Sequence, residues 1–337
     1  MKLIQIMASN KPGGAERFFC RLADSLNQQP VDQTIMLRKG SPYVNPLAKL
    51  TPYTAPFKGL LDYQTPRTVK KIIKQHAPDI VLTWMNRASS LISSIHQQKR
   101  YQHIARLGGY YNLKYYRHCD HFIGNTHGIC DYLLQNGIPQ QRIHYIGNFA
   151  QETTGTPRAR YSNRPLIVAL GRLHTNKAFD TLISAMTAVG DADLWIGGTG
   201  PEQAALERLI RELKLQQRVT LLGWIDKPED IIASCDIFVC PSRHEPLGNV
   251  ILEAWAQGKA IVATQNQGAT ELITHGEDGL LTPIDKPTML AATLTTLLNN
   301  IQLQKKLATQ GMASYQKRFS KVHITQQYLS LFKKVLD

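Results

Sequence analysis

Two carboxylates eight positions apart, Glu245 and Glu253, lie in the stretch Pro241 to Val262, P-S-R-H-E-P-L-G-N-V-I-L-E-A-W-A-Q-G-K-A-I-V. Glu245 belongs to a loop that bends at Pro246 and contains Gly248, which lets backbone approach a ligand closely. Asn249 is placed to cap the next helix, whose first amides make an anion site. Glu253 stands one turn into that helix among Val250, Ile251, Ala254 and Trp255. A carboxylate there is poorly placed for water and suited to accept paired hydroxyls from a polyol such as ribose. Two cations, Arg172 and Lys177, form the other notable pair. Either alone reads as a surface charge. Five apart in G-R-L-H-T-N-K, between an apolar run and a helical pattern, they make a clamp for a diphosphate.

These residues need a scaffold of parallel α/β type. Ile237 to Cys240 is a short apolar strand, Val250 to Gln257 repeats apolar residues at helical spacing, Gly258 stops that helix, and a second strand follows at 260–263. The Glu245 loop then sits at the carboxyl end of its strand, where open α/β sheets bind ligands. The unit recurs along the second half: a strand at 164–171, a helix at 179–189, a strand at 192–196 that ends in G-G-T-G-P-E, and a strand at 219–222 before Gly223-Trp224-Ile225. The first half opens the same way, with a strand at 2–8, a loop ending in Gly13-Gly14 and a helix at 15–26 that faces Phe18, Phe19, Leu22 and Leu26 inward. This is not a dinucleotide fingerprint, because G-x-G-x-x-G is absent. Further strands are predicted at 32–38, 79–84, 121–125 and 143–146. Further helices are predicted at 65–76, 128–135, 289–298, 303–318 and 322–335. The proline-rich segment 42–58 reads as irregular, and 148–163 as a linker.

A chain of 337 residues with 43% hydrophobic and 19% charged residues suits two domains of about 150 residues, not a disordered chain. No run approaches the roughly 18 apolar residues that would span a membrane. The start, M-K-L-I-Q-I-M, is too short and too interrupted for a signal peptide. Five cysteines, at 20, 119, 130, 235 and 240, show no C-x-x-C and fit reduced thiols in a cytoplasmic protein. The net charge is +14 and unevenly placed: residues 1–160 hold 21 Lys and Arg against 8 Asp and Glu, and residues 161–337 hold 18 against 17. The first half is thus built to meet something anionic, whether a membrane surface, a phosphorylated glycolipid or a nucleic acid. The helix at 65–76 presents Arg67, Lys70, Lys71 and Lys74 on one face. Between Lys99 and His118, five basic residues interleave with five tyrosines, a mixture suited to a headgroup-level interface, a sugar platform or single-stranded nucleic acid. His118-Cys119-Asp120-His121, with His127, lacks a second ligand pair at zinc spacing, so no metal is expected.

The string from Pro241 to Val262 resembles the Glu-x7-Glu signature of the retaining GT-B glycosyltransferases of family 4, group 1. G-R-L-x-x-x-K at 171–177 is similar to that family's diphosphate-binding pair, and G-G-A-E-R at 13–17 to its N-terminal glycine loop. The resemblance implies an α/β fold of two Rossmann-like domains facing a cleft. Residues 1–150 and 320–337 would form the acceptor-side domain, with a terminal helix crossing back to it, and residues 151–319 the donor domain. It implies that Glu245 meets the donor sugar hydroxyls and Glu253 the ribose, and that Arg172 and Lys177 stabilise the leaving diphosphate. Backbone at Leu247, Gly248 and Asn249 would face the sugar and diphosphate. Gly198 and Gly200 would line the nucleotide pocket, Trp224 and Ile225 would neighbour the base, and Gly13 and Gly14 would lie near the donor phosphates. Some relatives place a histidine near the anomeric centre. Arg106-Leu107-Gly108-Gly109-Tyr110 has none, so no catalytic histidine is carried over.

The expected activity is metal-independent, cofactor-free retaining transfer from a nucleotide-diphosphate sugar, with UDP favoured as the nucleotide, to a membrane-associated glycolipid or saccharide such as lipopolysaccharide core. The expected location is cytoplasmic, peripheral on an anionic membrane surface. Three alternatives stand beside it: a soluble transferase or synthase with a small acceptor, an epimerase or phosphorylase on the same fold, and a nucleic-acid-binding protein. The last leaves the second half of the chain unexplained, so no nucleic acid is expected.

Overall fold

The computed structural model describes residues 1–10, 13–59, 62–94 and 100–337. It divides into two compact units, Met1–Asn148 with Lys321–Asp337, and Phe149–Ser320.

Unit 1 begins β1 (Lys2–Met7), α1 (Gly14–Leu26), β2 (Asp32–Arg38), β3 (Tyr53–Ala55), α2 (Gln64–His76), β4 (Ile80–Trp84) and α3 (Met85–Ser94). It continues β5 (Gln102–Leu107), β6 (His121–Gly124), α4 (His127–Gln135) and β7 (Ile143–Tyr145). Among the described residues its seven strands are all parallel, in the order β3-β2-β1-β4-β5-β6-β7. Every residue of β4 is buried, the mark of a strand covered on both faces. Phe18, Phe19, Leu22 and Leu26 of α1 are fully buried, because their spacing gathers them on one helical face.

Unit 2 runs β8 (Leu166–Leu170), α5 (Phe179–Ala185), β9 (Asp193–Gly197), α6 (Gln203–Glu212), β10 (Val219–Gly223), α7 (Pro228–Ser234) and β11 (Ile237–Cys240). It ends α8 (Asn249–Ala256), β12 (Ala260–Thr264), α9 (Gln267–Leu272), β13 (Leu280–Thr282), α10 (Pro287–Leu298) and α11 (Ile301–Phe319). Its six parallel strands take the order β10-β9-β8-β11-β12-β13. The last helix, α12 (Lys321–Lys334), belongs to unit 1, where Ile324, Tyr328 and Phe332 are buried and Thr325 hydrogen-bonds Ser25 of α1 at 2.6 Å.

The structure adds to or changes the sequence reading at four places. The segment 42–58 contains the edge strand β3, whose three residues are too few to show alternation. Helix α3 follows β4 without a loop, because Met85 adopts a left-handed conformation (φ 67°), and no sequence signal marked it. Residues 149–163 are not a free linker. Their backbone is laid along unit 2, with Gly155 N donating to Gln257 Oε1 at 2.9 Å, Thr156 N to Asp230 Oδ1 at 2.8 Å and Arg158 N to Ser234 Oγ at 2.8 Å.

The fourth concerns the basic, tyrosine-rich stretch, which is not one surface. Lys99 lies outside the described residues. Arg106 and Tyr116 are core residues, 2% and 1% exposed, whereas Tyr110, Lys114 and Arg117 are exposed. The Arg106 guanidinium sits between the rings of Phe18 and Trp84, at 5.1 and 4.9 Å, and donates to Asn148. Strand β5 carries Arg106 inward, which composition alone could not reveal.

Candidate active site

The strand order of unit 2 reverses between β8 and β11, and both charged loops leave the sheet there. Such a reversal opens a crevice at the carboxyl edge of a parallel sheet. After β8 come Gly171, Arg172 and a 3-10 turn at Thr175–Lys177 that leads into α5. After β11 come residues 241–248 and then α8. The two loops meet where Lys177 Nζ donates to Glu245 Oε2. Both side chains are largely buried, 21% and 16% exposed. Burial alone would lower the pKa of Lys177. The negative charge of Glu245, with smaller contributions from Cys240 and Glu253, more than offsets this and holds it above its ordinary value. Glu253 therefore lies within electrostatic reach of the pair. Arg172 is exposed, and its side chain forms no hydrogen bond or ion pair among the described residues. The site thus presents one cation tied to a carboxylate and one turned to solvent.

The Glu245 loop is braced from behind. Thr264 Oγ1 and Asn266 Nδ2, at the end of β12, donate to the Ser242 carbonyl at 2.6 and 3.1 Å. Gly268 N donates to the Glu245 carbonyl at 2.9 Å. Gly268 lies so close that a Cβ there would fall 2.6 Å from Leu247 carbonyl carbon. Gly248 adopts φ +85°, which only glycine takes without strain, and turns the chain into α8. The helix then begins at Asn249, with Gly248 as its N-cap. The expectation that Asn249 caps the helix is thereby corrected: the glycine turn starts the helix one residue earlier.

Gly198 and Gly200 serve packing. At Gly198 (φ +141°) a Cβ would collide with the Gly171 carbonyl, and at Gly200 with the Leu173 carbonyl. The two loops also share backbone bonds, Leu173 N to Thr199 O at 3.0 Å and Glu202 N to Leu173 O at 3.1 Å. These glycines let one loop cross directly over the segment that carries Arg172. Trp224 is 53% exposed and donates to Asp226 at 2.7 Å. Ile225 is turned into the core with Leu170 and Trp195, 7% exposed. Gly13 and Gly14 belong to unit 1, at the start of α1. There the buried Glu16 carboxylate folds back over Gly13, and the Tyr43 phenol hydrogen-bonds the Gly13 backbone.

Arg243 escaped the sequence reading. Its amide donates to the Asn176 carbonyl at 2.8 Å, and its guanidinium to the Thr175 carbonyl at 2.6 Å. The same guanidinium grips both Asp180 oxygens, at 3.0 and 2.7 Å, and Asp285 at 2.8 Å. Hydrogen bonding to Asp180, and then to Asp285, raises its pKa. Arg243 therefore ties the turn of Lys177 to the loop of Glu245. The one available signal was an arginine two residues before Glu245; its partners are too distant in sequence to show a pattern.

Among the described residues, no group of three or more His, Cys, Asp or Glu is placed to hold a metal. His121 Nδ1 lies 3.1 Å from His144 Nε2, and Cys119 Sγ lies 3.7 Å from His103 Nε2. All five cysteines are free. No helix among the described residues is long and apolar enough to cross a membrane.

Two parallel α/β units, one with a Lys–Glu pair and a free arginine at its switch point, are the build of a GT-B glycosyltransferase. Comparison with known proteins agrees. Residues 164–300 match the family model for Glycosyl transferases group 1, and residues 12–151 that for Glycosyltransferase Family 4. The chain is 34% identical over 336 residues to the lipopolysaccharide core biosynthesis glycosyltransferase LpsE of Rhizobium meliloti, covering 95% of this chain and 96% of that one. It is 31% identical to LpsD of the same organism, covering 98% of each. Anabaena HepE, solved in complex with UDP, has the same fold, with a TM-score of 0.87 at 23% identity over 99% of this chain and 100% of that one. The chain belongs to the family 4, group 1 glycosyltransferases and is an enzyme of that class.

Proposed function

We propose that the enzyme transfers a sugar, with retention, from a UDP-sugar to a hydroxyl of a lipopolysaccharide-core saccharide or a similar membrane-associated glycolipid. The observation that carries this reading is the Lys177–Glu245 pair at the β8/β11 switch point, with Arg172 free beside it. Breaking the anomeric C–O bond sends its electron pair to the diphosphate. Arg172, Lys177 and the first amides of α8 stabilise that charge where it develops. Glu245 accepts hydrogen bonds from the sugar hydroxyls, and Glu253 from the ribose. No side chain at this site is a free nucleophile; the leaving phosphate oxygen takes the acceptor proton as the acceptor oxygen bonds the same face of the sugar. The relatives' lipopolysaccharide-core names and the UDP in HepE support the acceptor and donor assigned here. The donor residues lie on unit 2, and unit 1 takes the acceptor.

The test is a thermal-shift panel with UDP, GDP, ADP and CMP and their sugar conjugates. A ligand at 100 times its Kd adds about 2.7 kcal/mol. UDP and one UDP-sugar should raise the melting temperature, and Arg172→Ala should remove most of the shift. No shift with any diphosphate would sink the reading. The exposed basic face of α2, Arg67, Lys70, Lys71 and Lys74, supports a cytoplasmic enzyme peripheral to an anionic membrane. Flotation with anionic liposomes that is unchanged on neutralising the three lysines would count against that location.

A further inference from the structure

Unit 1 has a switch point of its own. Its strand order reverses between β1 and β4, and at the carboxyl ends of those strands lies a cavity of about 810 Å³. Ala8, just after β1, and Trp84 and Met85, where β4 becomes α3, form its floor. Parallel sheets bind ligands at such points. The walls combine two chemistries. Tyr111 and Tyr115 offer flat rings with polar edges, and Asn10 and Asn86 offer amides. Rings and planar amides together suit a sugar, which has apolar C–H faces and a rim of hydroxyls.

The charge of the cavity is more specific. Arg38 and Arg87 both line it. Neither pairs with a carboxylate among the described residues: Arg38 donates to Asn10 Oδ1 at 3.4 Å, and Arg87 to the Phe57 carbonyl at 3.0 Å. Neither guanidinium is ion-paired, and the two of them outnumber the single carboxylate in the described lining, Asp62. Asp62 keeps its charge but is held by its own segment and pairs with neither arginine. It accepts from Lys58 N at 2.7 Å, from Thr65 N at 2.9 Å and from Thr65 Oγ1 at 2.6 Å. Behind the floor, the buried Arg106 and the buried Glu16 both act on Tyr111 and oppose one another. The first turn of α3, Met85 to Arg87, lines the same space.

We propose that this cavity takes a saccharide bearing an anionic substituent, a phosphate or carboxylate. The ring lies against Tyr111 and Tyr115, and the anion rests on Arg38 and Arg87. This rests on the transferase reading above and narrows its acceptor to an acidic sugar. The physical ground for selectivity is desolvation. A ligand that fills the cavity strips water from two guanidinium groups, and a neutral sugar leaves them unpaired, whereas an anionic one pairs them.

The experiment is titration calorimetry on the full chain with glucose 6-phosphate, glucuronate, methyl glucoside and inorganic phosphate, with UDP as a parallel probe. The expected result is that glucose 6-phosphate and glucuronate bind at least tenfold more tightly than methyl glucoside and inorganic phosphate. Arg38→Gln and Arg87→Gln should each cut that preference several-fold, Arg87→Lys should restore part of it, and methyl glucoside and UDP affinities should stay unchanged. Equal affinity for charged and neutral sugars, or a preference that survives Arg38→Gln/Arg87→Gln, overturns the proposal. Inorganic phosphate that binds as tightly as glucose 6-phosphate overturns the sugar half of it. Displacement of glucose 6-phosphate by vesicles containing phosphatidylglycerol, but not by neutral vesicles, overturns it in favour of a lipid headgroup. UDP binding that persists while every sugar fails sinks this inference and leaves the donor reading intact; loss of UDP binding sinks the donor reading.

Discussion

If the Lys177–Glu245 pair is what joins the two site loops, its two members must be energetically coupled in the unliganded enzyme. Two unit charges about 4 Å apart attract by about 4 kcal/mol at an effective dielectric near 20. With 21% and 16% of the side chains exposed, solvent screens the pair only partly, but both groups also gave up water to meet. Taking desolvation to return roughly half, a double-mutant cycle with Lys177→Met and Glu245→Gln should give a coupling of about 2 kcal/mol. Lys177→Met alone should cost the more of the two, because it strands a largely buried carboxylate. Urea unfolding reads this out, fitted with one transition per unit, since the units need not unfold together. Three of the four tryptophans, Trp195, Trp224 and Trp255, lie in unit 2, so fluorescence follows the relevant transition. Single-mutant effects that add within about 0.4 kcal/mol would refute the argument. The pair would then be an incidental contact, and preorganisation of the site would have to come from Arg243 and the backbone bonds between the loops.

Arg243→Ala should lower kcat and raise the donor KM together, since it releases the Lys177 turn from the Glu245 loop, while each exposed ion pair lost costs only about 0.2–1 kcal/mol of stability. Arg243→Lys should recover part of the stability but little of kcat, because lysine cannot bridge Asp180, Asp285 and the Thr175 carbonyl at once. Steady-state kinetics that separate neither variant from wild type would remove Arg243 from the site.

Stability of unit 1 should fall in acid through His144, whose pKa is pushed down to about 4 by burial first and by His121 and Lys334 after it. The unfolded chain, titrating near 6.5, binds the proton more readily, so the neutral imidazole stabilises the fold above that value and the contribution is lost as pH falls from 6.5 toward 4. His144→Gln should flatten the dependence of melting temperature on pH in this window; an unchanged slope would mean that another group carries it.

Local pattern placed most of the frame. Continuous apolar runs marked the inner strands, because a strand buried on both faces has no polar side to show. The phases of Phe18, Phe19, Leu22 and Leu26 in α1 named its inward face. Charge and spacing also picked out Arg172, Lys177, Glu245 and Glu253. The elements that escaped notice lacked such a signal: β3 has three residues, and α3 begins with a left-handed Met85 where a loop would be expected. By itself, then, the sequence determined the two parallel α/β units, the family and the charged residues of the two loops, since periodicity and motif are local properties that survive without coordinates.

Tertiary structure decided which of those residues meet and what holds them. Pairing Lys177 with Glu245 takes a contact between positions 68 apart, and Arg243 reaches Asp180 and Asp285 across 63 and 42 residues. It also decided which charges never reach a surface. Arg106 looked like part of a basic face and lies in the core, while Arg38 and Arg87, unremarkable in the sequence, line one cavity. The reason is that side-chain direction depends on strand register and on the reversal of strand order, and neither is written in the neighbours of any one residue.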